Sequence, residues 1–401
     1  MTITTVTLGF SVLALLIWGG MIGFWGQFWR ADQQLEPGNA LTLNAWPKVA
    51  VVIPARNEAD LIGMAVGSHL AQAYPGALSI VLVDDQSTDG TAEVARETAS
   101  ATGQSDQLII LSGETLPPGW AGKLWAMEQG FRHLAAQAAP PDYVLFTDAD
   151  IEHDPANVQQ LVAKAVKEHR DLVSLMVQLR CQSPWERLLI PAFVFFFQML
   201  YPFPWVNNPQ KATAAAAGGC ALIRFSALQR INGLQTIRHA LIDDCALGEA
   251  VKAQGSIWLG LSSTTRSLRP YPNLQSIWSM VTRSAYTQLH YSPWLLVGTV
   301  LGMLLVYAVS PLSVVLGVMG GHVSLVLTGL GGWLLMALAY WPTLRLYGGN
   351  ALLAMALPLV ALLYTLMTLD SARRHWAGQG GAWKGRVYSA RERESNHIQV
   401  L

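Results

Sequence analysis

The stretch Asp84-Asp85-Gln86-Ser87-Thr88-Asp89-Gly90-Thr91 decides the fold class of this chain. It follows an apolar run, Ile80 to Val83, and leads into a predicted helix that begins near Thr91. Acidic side chains at a strand end, with a glycine-containing turn before a helix, are typical of the ligand-binding edge of an open α/β sheet. Carboxylates can hydrogen-bond a sugar or a base, or bind a divalent cation that in turn binds a phosphate.

The same pattern recurs at Phe146-Thr147-Asp148-Ala149-Asp150, after a second apolar segment, and a third acidic cluster lies at Asp243-Asp244 before another predicted helix. Two acidic strand ends on one chain indicate a metal–nucleotide site. Strands alternate with helices along this part of the chain, which predicts a parallel, doubly wound sheet. The predicted strands are Lys48–Ile53, which Pro54 ends, then Leu78–Val83, Leu108–Leu111 and Tyr143–Thr147.

The charged residues are confined to one part of the chain. Of 401 residues 52% are apolar and only 13% are charged, against about 25% in a typical soluble domain. Residues 1–29, 284–344 and 346–369 contain no Asp, Glu, Lys or Arg. A spanning helix needs about 20 apolar residues, so these stretches can hold one, two and one spans. We therefore predict an anchor at 1–29, a charged domain at 30–283, transmembrane helices at 284–370 and a tail at 371–401.

The flanking charges predict the orientation of the chain in the membrane. Arg30 follows the first apolar segment, which has no cleavage site for a signal peptidase and is expected to stay as an anchor. The positive-inside rule then places the charged domain in the cytoplasm, and Arg373 and Arg374 argue for a cytoplasmic tail. An anchor and three further spans would instead leave the tail outside. One apolar stretch could therefore be re-entrant or interfacial.

Residues 188–206 form a separate uncharged, aromatic run within the charged domain. Pro191, Pro202 and Pro204 interrupt it, so we expect an element that lies against the bilayer and not a straight spanning helix. A buried helix of the domain is the alternative. A net charge of zero gives no electrostatic reason to expect nucleic acid as a partner.

The order of the motifs resembles a family 2 glycosyltransferase with a GT-A domain. The motifs are V-V-I-P-A-R-N-E (51–58), D-D-Q-S-T-D-G-T (84–91), G-K-L-W-A-M-E-Q-G (122–130), D-A-D (148–150) and I-D-D (242–244). With an anchor before the domain and M-V-T-R-S-A-Y-T-Q-L (280–289) after it, the chain is most similar to bacterial hopanoid-associated (hopene-associated) glycosyltransferases. The tail motif W-K-G-R-V-Y (383–388) resembles membrane glycosyltransferases that act on lipids.

This resemblance implies a role for each matching residue. Pro54, Ala55, Arg56 and Glu58 would border the nucleotide, Asp85 would contact its uracil or ribose, and Lys123 would reach the base or the diphosphate. Asp148 and Asp150 would bind Mg²⁺ or Mn²⁺, with Asp150 as the more direct ligand. Asp244 would be the catalytic base beside Asp243, and Arg283 would contact substrate. The implied donor is a nucleotide-diphosphate sugar, in particular a UDP-sugar, and the acceptor is a lipid in the bacterial inner membrane.

The chain departs from the family pattern at one motif. Processive synthases carry Q-x-x-R-W, whereas this chain has Met280-Val281-Thr282-Arg283-Ser284, which disfavours a polysaccharide synthase. A transporter or an inactive sugar-nucleotide-binding subunit is a further alternative, although all three acidic clusters are present. Individually, the acidic pairs could also be helix caps or turn formers, Lys123 a solvated helix residue, and Arg283 a residue that follows the positive-inside rule.

Overall fold

The structure, a computed structural model, describes residues 3–35, 43–379, 382–383 and 386–387. The described chain divides into two compact units. The helical unit holds the described residues up to 31, with 181–204 and 271–379, and the sheet unit holds the remainder. Each unit has a hydrophobic core of its own.

An eight-stranded sheet forms the centre of the sheet unit. Its strands are β1 (Val49–Ala55), β2 (Leu78–Asp84), β3 (Leu108–Ser112), β4 (Tyr143–Phe146), β5 (Ile151–Glu152), β6 (Leu172–Gln178), β7 (Ala221–Arg224) and β8 (Ile257–Ser267). They are ordered β3-β2-β1-β4-β7-β6-β8-β5. A separate two-stranded sheet pairs β9 (Ala382–Trp383) antiparallel with β10 (Arg386–Val387). The other residues of the predicted tail motif at 383–388 lie outside the described residues.

The central strand β1 extends beyond its predicted end. Every residue of β1 is buried, as expected for a strand covered on both faces. Pro54 does not end the strand, because β1 pairs with β2 through Ala55 but with β4 only through Val52. The backbone of Pro54 faces the β4 side, where the ladder has already ended, so its missing N–H costs no hydrogen bond.

The sheet is mixed and not parallel throughout: the four predicted strands, β1 to β4, are parallel as expected, whereas two strands that were not predicted are antiparallel to their neighbours. The pairs β1–β2, β2–β3, β1–β4 and β6–β8 are parallel, whereas β7 is antiparallel to β4 and β6, and β5 is antiparallel to β8. Apolar runs alone do not specify strand direction, because direction depends on the connections between strands.

Helices flank the sheet, and α3 and α9 begin close to where the sequence predicted them. They are α2 (Ala59–Leu70), α3 (Thr91–Ala101), α4 (Gly122–Ala135), α5 (Asn157–Lys167), α8 (Phe225–Arg230) and α9 (Asp243–Lys252). A short helix, α7 (Phe203–Val206), contains the last two residues of the helical unit in that part of the chain and the first two that return to the sheet unit.

The helical unit contains α1 (Ile3–Phe24), α6 (Pro184–Leu200), α10 (Leu274–Thr282), α11 (Pro293–Met303), α12 (Val309–Gly320), α13 (Val323–Leu346) and α14 (Leu357–Trp376). A π-helical turn joins α11 to α12. Four segments are long and apolar enough to cross a membrane: Thr4–Phe24, Pro293–Gly320, Val323–Leu346 and Ala351–Trp376. They fall in the predicted apolar stretches, although α14 runs six residues past the predicted boundary at 370.

Contacts along the long helices give their relative directions. Ser11 donates to Thr328 over 2.9 Å. Thr4, near the start of α1, lies with its Oγ1 3.4 Å from Nε2 of His322, just before α13, so these helices run the same way. Gly317 packs against Val326, and Ser310 against Gly332, so α12 runs opposite to α13. The start of α11, the end of α1 and the end of α13 therefore share one end of the unit.

The segment Ala351–Trp376 leaves that end of the unit and returns to it. The indole of Trp333 donates to the carbonyl of Met355 over 3.0 Å, so the chain after α13 runs back along that helix. Trp333 precedes Leu346 by a length of helix of about 20 Å. At the other end of α14, Ser371 accepts from the Tyr286 amide, and His375 stacks on Tyr291, just before α11. The segment Ala351–Trp376 thus has the geometry of a re-entrant hairpin, in which α14 is the returning arm.

The aromatic run predicted at 188–206 is largely helical, and Pro191 lies inside α6 without ending it. We grouped this run with the charged domain, but residues 181–204 belong to the helical unit. Gln198 donates to Thr343 near the end of α13, and the indole of Trp25, just past α1, donates to the carbonyl of Met199. The end of α6 thus packs near the shared end of the long helices.

Candidate active site

The carboxyl ends of three neighbouring strands bring the first two acidic clusters to one edge of the sheet. Ala55 pairs with Asp84 in the β1–β2 ladder, and the amide of Thr147 donates to the carbonyl of Val52 across β4 and β1. The residues that follow β1, β2 and β4 therefore emerge together, as the sequence predicted from the parallel pairing of these strands.

The loop after β1 is hydrogen-bonded to the Asp-Gly turn after β2. Asp85 is completely buried; Nη1 of Arg56 donates to its backbone carbonyl over 2.5 Å and lies 3.7 Å from its carboxylate. The amide of Glu58 donates to Thr91 Oγ1 over 2.9 Å, and the amide of Ala59 donates to Asp89 Oδ2 over 3.0 Å. Asp84 is a turn former, since it accepts from the Ser87 amide. The turn thus holds the predicted nucleotide-binding residues in place.

Lys123, in the first turn of α4, links the second and third acidic clusters. Its Nζ lies 2.7 Å from Asp148 Oδ1 and 2.9 Å from Asp243 Oδ2. Burial alone would lower the pKa of Lys123, but the carboxylates of Asp148 and Asp243 raise it above its usual value, so the side chain stays an ammonium. Lys123 is therefore not a solvated helix residue.

Asp244 is held by main-chain donors. The amide of Gly218 donates to its Oδ2 over 3.0 Å, and the amide of Cys245 donates to its Oδ1 over 2.8 Å. Neither Asp243 nor Asp244 is the N-cap of α9, which is Ile242. Burial and the nearby Asp243 carboxylate raise the pKa of Asp244 to about 6. An acid with this pKa can accept a proton near neutral pH.

The hydroxyl of Thr147 links the segment before the second acidic cluster to the segment that contains Gly218, and no local sequence pattern predicts this contact. Thr147 Oγ1 donates to the carbonyl of Gly219 over 2.8 Å and lies 2.8 Å from Nε2 of His153. Burial lowers the pKa of His153 to about 4, so the ring is neutral. The residue before Asp148 is thereby tied to the residue after Gly218.

The two predicted metal ligands, Asp148 and Asp150, have the oxygen donors that Mg²⁺ and Mn²⁺ prefer. Within the described residues no cluster of three or more His, Cys, Asp or Glu side chains could hold a metal alone. Mg²⁺ is commonly held by one or two carboxylates together with substrate phosphates, so this donor set fits a cation that binds with a nucleotide diphosphate. Burial raises the pKa of Asp148, an effect that Lys123 partly offsets.

One further cation at this edge was not predicted as a site residue. Nε of Arg269 donates to Asp150 Oδ2 over 2.5 Å, and its Nη2 donates to Glu58 Oε1 over 2.7 Å. Arg283, which was predicted to bind substrate, belongs to the helical unit, where it is the exposed C-cap of α10. Its role stays a prediction.

Residues 50–231, which include the first two acidic clusters and Lys123, match Glycosyl transferase family 2. The matched range is less than half of the chain, and Asp243, Asp244 and Arg269 lie beyond it. The predicted fold class, a GT-A sheet domain with transmembrane helices, is confirmed by the mixed sheet, the apolar helices and a similar solved structure.

That structure is a mannosyltransferase from Pyrobaculum calidifontis in complex with GDP-Man and Mn²⁺, with a TM-score of 0.56 over 92% of this chain and 99% of the other. At 17% identity the likeness concerns the fold. Part of the chain is also 32% identical to two undecaprenyl-phosphate 4-deoxy-4-formamido-L-arabinose transferases, over 141 and 149 residues. The match covers 35% of this chain and 39% of the relative from Edwardsiella ictaluri, and 36% and 41% for that from Klebsiella pneumoniae. The chain thus spans about two fifths of the length of these curated relatives.

Proposed function

We propose that this protein is a membrane-bound, inverting glycosyltransferase that moves a sugar from a nucleotide-diphosphate sugar to a lipid acceptor. The observation that carries the proposal is the position of Lys123 between Asp148 and Asp243. The ammonium of Lys123 links two acidic clusters. One contains Asp148 and suits a cation bound to a diphosphate, and the other contains Asp244. Donor and acceptor chemistry can therefore meet at one point of the sheet edge.

The donor end consists of the loops after β1, β2 and β4. Buried Asp85 and the main chain around Arg56 and Glu58 suit a base and a ribose, and Asp148 and Asp150 suit a cation bound to a diphosphate. A bound Mg²⁺ or Mn²⁺ would neutralise negative charge on the departing diphosphate. The Pyrobaculum mannosyltransferase was solved with GDP-Man and Mn²⁺, which supports this class of donor and cation. A UDP-sugar remains the proposed donor.

The acceptor end is the carboxylate of Asp244. Two main-chain amides fix its orientation, so the carboxylate can take the proton of an attacking hydroxyl. The new bond joins the acceptor oxygen to the anomeric carbon while the bond from that carbon to the diphosphate oxygen breaks. The proton passes to Asp244, and the nucleoside diphosphate leaves. A single in-line displacement of this kind inverts the anomeric centre.

Two classes of lipid acceptor are distinguished by their need for a base. The curated relatives are named for undecaprenyl phosphate, whose phosphate is largely ionised at neutral pH and can attack without help. A lipid hydroxyl is not ionised and requires a base such as Asp244. The orientation of Asp244 therefore supports a hydroxyl lipid, and we propose hopanoid-associated lipid synthesis from the resemblance stated above.

We also propose that the protein lies in the bacterial inner membrane with its family 2 domain in the cytoplasm. Arg30 follows α1, and Arg373 and Arg374 lie at the end of α14. If α1, α11–α12 and α13 cross the bilayer and Ala351–Trp376 is re-entrant, these arginines all lie on one side. That arrangement satisfies the positive-inside rule, which four crossings would violate.

The test uses the full-length protein in nanodiscs, with radiolabelled UDP-sugars and GDP-mannose as donors. Acceptors are a hydroxyl-bearing hopanoid and undecaprenyl phosphate, and Asp244→Asn is the control. We expect the label to appear in the hydroxyl lipid with the wild-type protein and to be lost with Asp244→Asn.

Transfer to undecaprenyl phosphate that survives Asp244→Asn would overturn both the hydroxyl acceptor and the base. Label in a water-soluble polymer would favour a polysaccharide synthase, and no transfer from any donor would favour a binding subunit. Lipid profiles of a deletion strain would identify the natural product.

A further inference from the structure

Arg269 bridges two nearly buried carboxylates at the proposed donor site. It donates to Asp150 through Nε, over 2.5 Å, and to Glu58 through Nη2, over 2.7 Å. The side chains of Asp150 and Glu58 are 10% and 11% exposed, and that of Arg269 is 35% exposed. The guanidinium thus places a positive charge beside two carboxylates that have little contact with solvent. Its own side chain is more exposed than either of them.

Strand pairing explains why Arg269 lies there. In the antiparallel β5–β8 ladder, Ile151 pairs with Ser267, and the amide of Leu268 donates to the carbonyl of Asp150 over 2.8 Å. This register places Arg269, the residue after Leu268, beside the acidic cluster that precedes β5. Glu58 reaches the same point because it follows β1 as the N-cap of α2.

The contact with Asp150 uses one oxygen of the carboxylate that the proposed function assigns to the cation. An arginine side chain keeps its charge at every physiological pH, so it cannot leave this carboxylate by losing a proton. A cation that binds directly to Asp150 Oδ2 has to displace the guanidinium. Two positive charges on one carboxylate are mutually repulsive, and the nearby Glu58 gives the guanidinium a second anchor.

We propose that Arg269 is an internal competitor of the divalent cation, which occupies Asp150 until a nucleotide diphosphate arrives with the metal. This inference rests on the proposed function, because it takes Asp150 as the metal ligand. The metal alone binds weakly, since it gains few ligands and loses to the guanidinium. The metal with a nucleotide diphosphate also gains phosphate oxygens, which tip the competition. Arg269 therefore makes cation binding depend on the donor.

The test measures Mn²⁺ binding to the full-length protein in detergent by the loss of the free-Mn²⁺ electron paramagnetic resonance signal, with and without UDP. Arg269→Gln removes the guanidinium, and Arg269→Lys keeps the charge but can no longer donate to both carboxylates at once. Arg266→Gln is the matched control, because it removes an arginine at an exposed position of β8. Asp150→Asn reports whether Asp150 binds the metal at all.

We expect Arg269→Gln to bind Mn²⁺ without UDP at least about tenfold more tightly than the wild type, because an uncompensated pair of acids attracts the cation. Arg269→Lys should lie between the two, and Arg266→Gln should match the wild type. The gain in Mn²⁺ affinity on adding UDP should shrink in Arg269→Gln. The thermal unfolding midpoint of Arg269→Gln should fall without metal and rise more with Mn²⁺ than that of the wild type.

Equal or weaker Mn²⁺ binding by Arg269→Gln and Arg269→Lys would overturn the inference, since a purely structural arginine would give that result. If Asp150→Asn binds Mn²⁺ as the wild type does, the metal assignment in the proposed function fails and the competition fails with it. Sugar transfer that persists in the wild type while Mn²⁺ binding is insensitive to Arg269 would overturn this inference alone.

Discussion

The amide of Gly218 donates a hydrogen bond to Oδ2 of Asp244 over 3.0 Å. Gly218 precedes β7, and Asp244 begins the helix α9 after a separate stretch of chain. A Cβ at position 218 would lie 3.1 Å from Nζ of Lys123 and 3.6 Å from the Asp244 carboxylate. The glycine thus allows its own main chain to approach both the ammonium and the carboxylate of the proposed site.

The first prediction concerns the base. Asp244→Asn should reduce single-turnover transfer about 10²–10⁴-fold, the usual contribution of a general base, and leave sugar-nucleotide affinity near that of the wild type. Asp243→Asn should be milder, because Asp243 contacts Lys123 and is not held toward the acceptor by main-chain amides. Single-turnover rates and nucleotide titrations measure both effects. Asp244→Asn activity above about a tenth of wild type would make Asp243 the better candidate.

The second prediction is a pH profile. Asp244 accepts a proton only when ionised, and its pKa of about 6 means that ionisation increases as the pH rises through that value. Turnover should therefore rise between about pH 5 and about pH 7 and then level off. The residual rate of Asp244→Asn should lack this acidic limb. Single-turnover rates across the range measure it, and an unchanged limb in Asp244→Asn would assign the titration to another group.

The third prediction concerns Lys123. Lys123→Met should shift the acidic limb to higher pH, because the ammonium lowers the pKa of Asp244. It should also reduce the free energy of unfolding by about 2 kcal/mol, less than for a fully buried pair, since Asp148 is 35% exposed. Lys167→Met, at an exposed position at the end of α5, is the matched control. pH–rate profiles and urea unfolding test both effects; a limb that does not move would separate Lys123 from the base.

The fourth prediction concerns the space at Gly218. Gly218→Ala should lower turnover by about tenfold or more, because the methyl group displaces Nζ of Lys123 from the site. Stability should change by less than about 1 kcal/mol, because the displaced atom ends a flexible side chain. Gly67→Ala on α2 is the control, since its Cβ would make an ordinary 3.6 Å contact with Thr98. Kinetics and thermal unfolding test this, and loss of stability with activity retained would contradict it.

The fifth prediction is the membrane topology. With the native cysteines replaced, cysteines introduced at Arg30 and Ala377 should react with a membrane-impermeant maleimide from the same side. A cysteine at Val323, the first residue of α13 after the turn that follows α12, should react from the opposite side. Labelling of intact cells and of inverted vesicles measures this. If Ala377 and Val323 react from the same side, Ala351–Trp376 crosses the membrane and the re-entrant arrangement is wrong.

Local sequence signals predicted much of the fold. The acidic strand ends at Asp85 and Asp148 followed short apolar runs, and both lie where parallel neighbours bring them together. The continuation of β1 through Pro54 was missed, because the tolerance of proline there depends on where the neighbouring ladder stops. The strands β5 and β7 were not predicted; they contain only two and four residues, and their antiparallel direction depends on the partner strand and not on the run itself.

The site was predictable where a short motif contains the whole contact and not where distant segments meet. Lys123 was identified from its motif, yet its link between Asp148 and Asp243 depends on three separate parts of the chain. Arg269 lacked any local signal, because its contact with Asp150 follows from the register of β5 against β8. The same limit applies to Ala351–Trp376, where contacts between distant segments, such as that of Met355 with Trp333, distinguish a hairpin from a crossing.

Main-chain amides hold the orientation of the Asp244 carboxylate. Its two donors are the amides of Gly218 and Cys245, and every amino acid except proline has such an amide. Substitution at position 245 can therefore vary widely in the course of evolution without turning the carboxylate away, whereas position 218 is limited by size. If Asp244 is the base, related enzymes can exchange the side chains around it, and with them the acceptor that fits, while the direction of proton transfer is inherited unchanged.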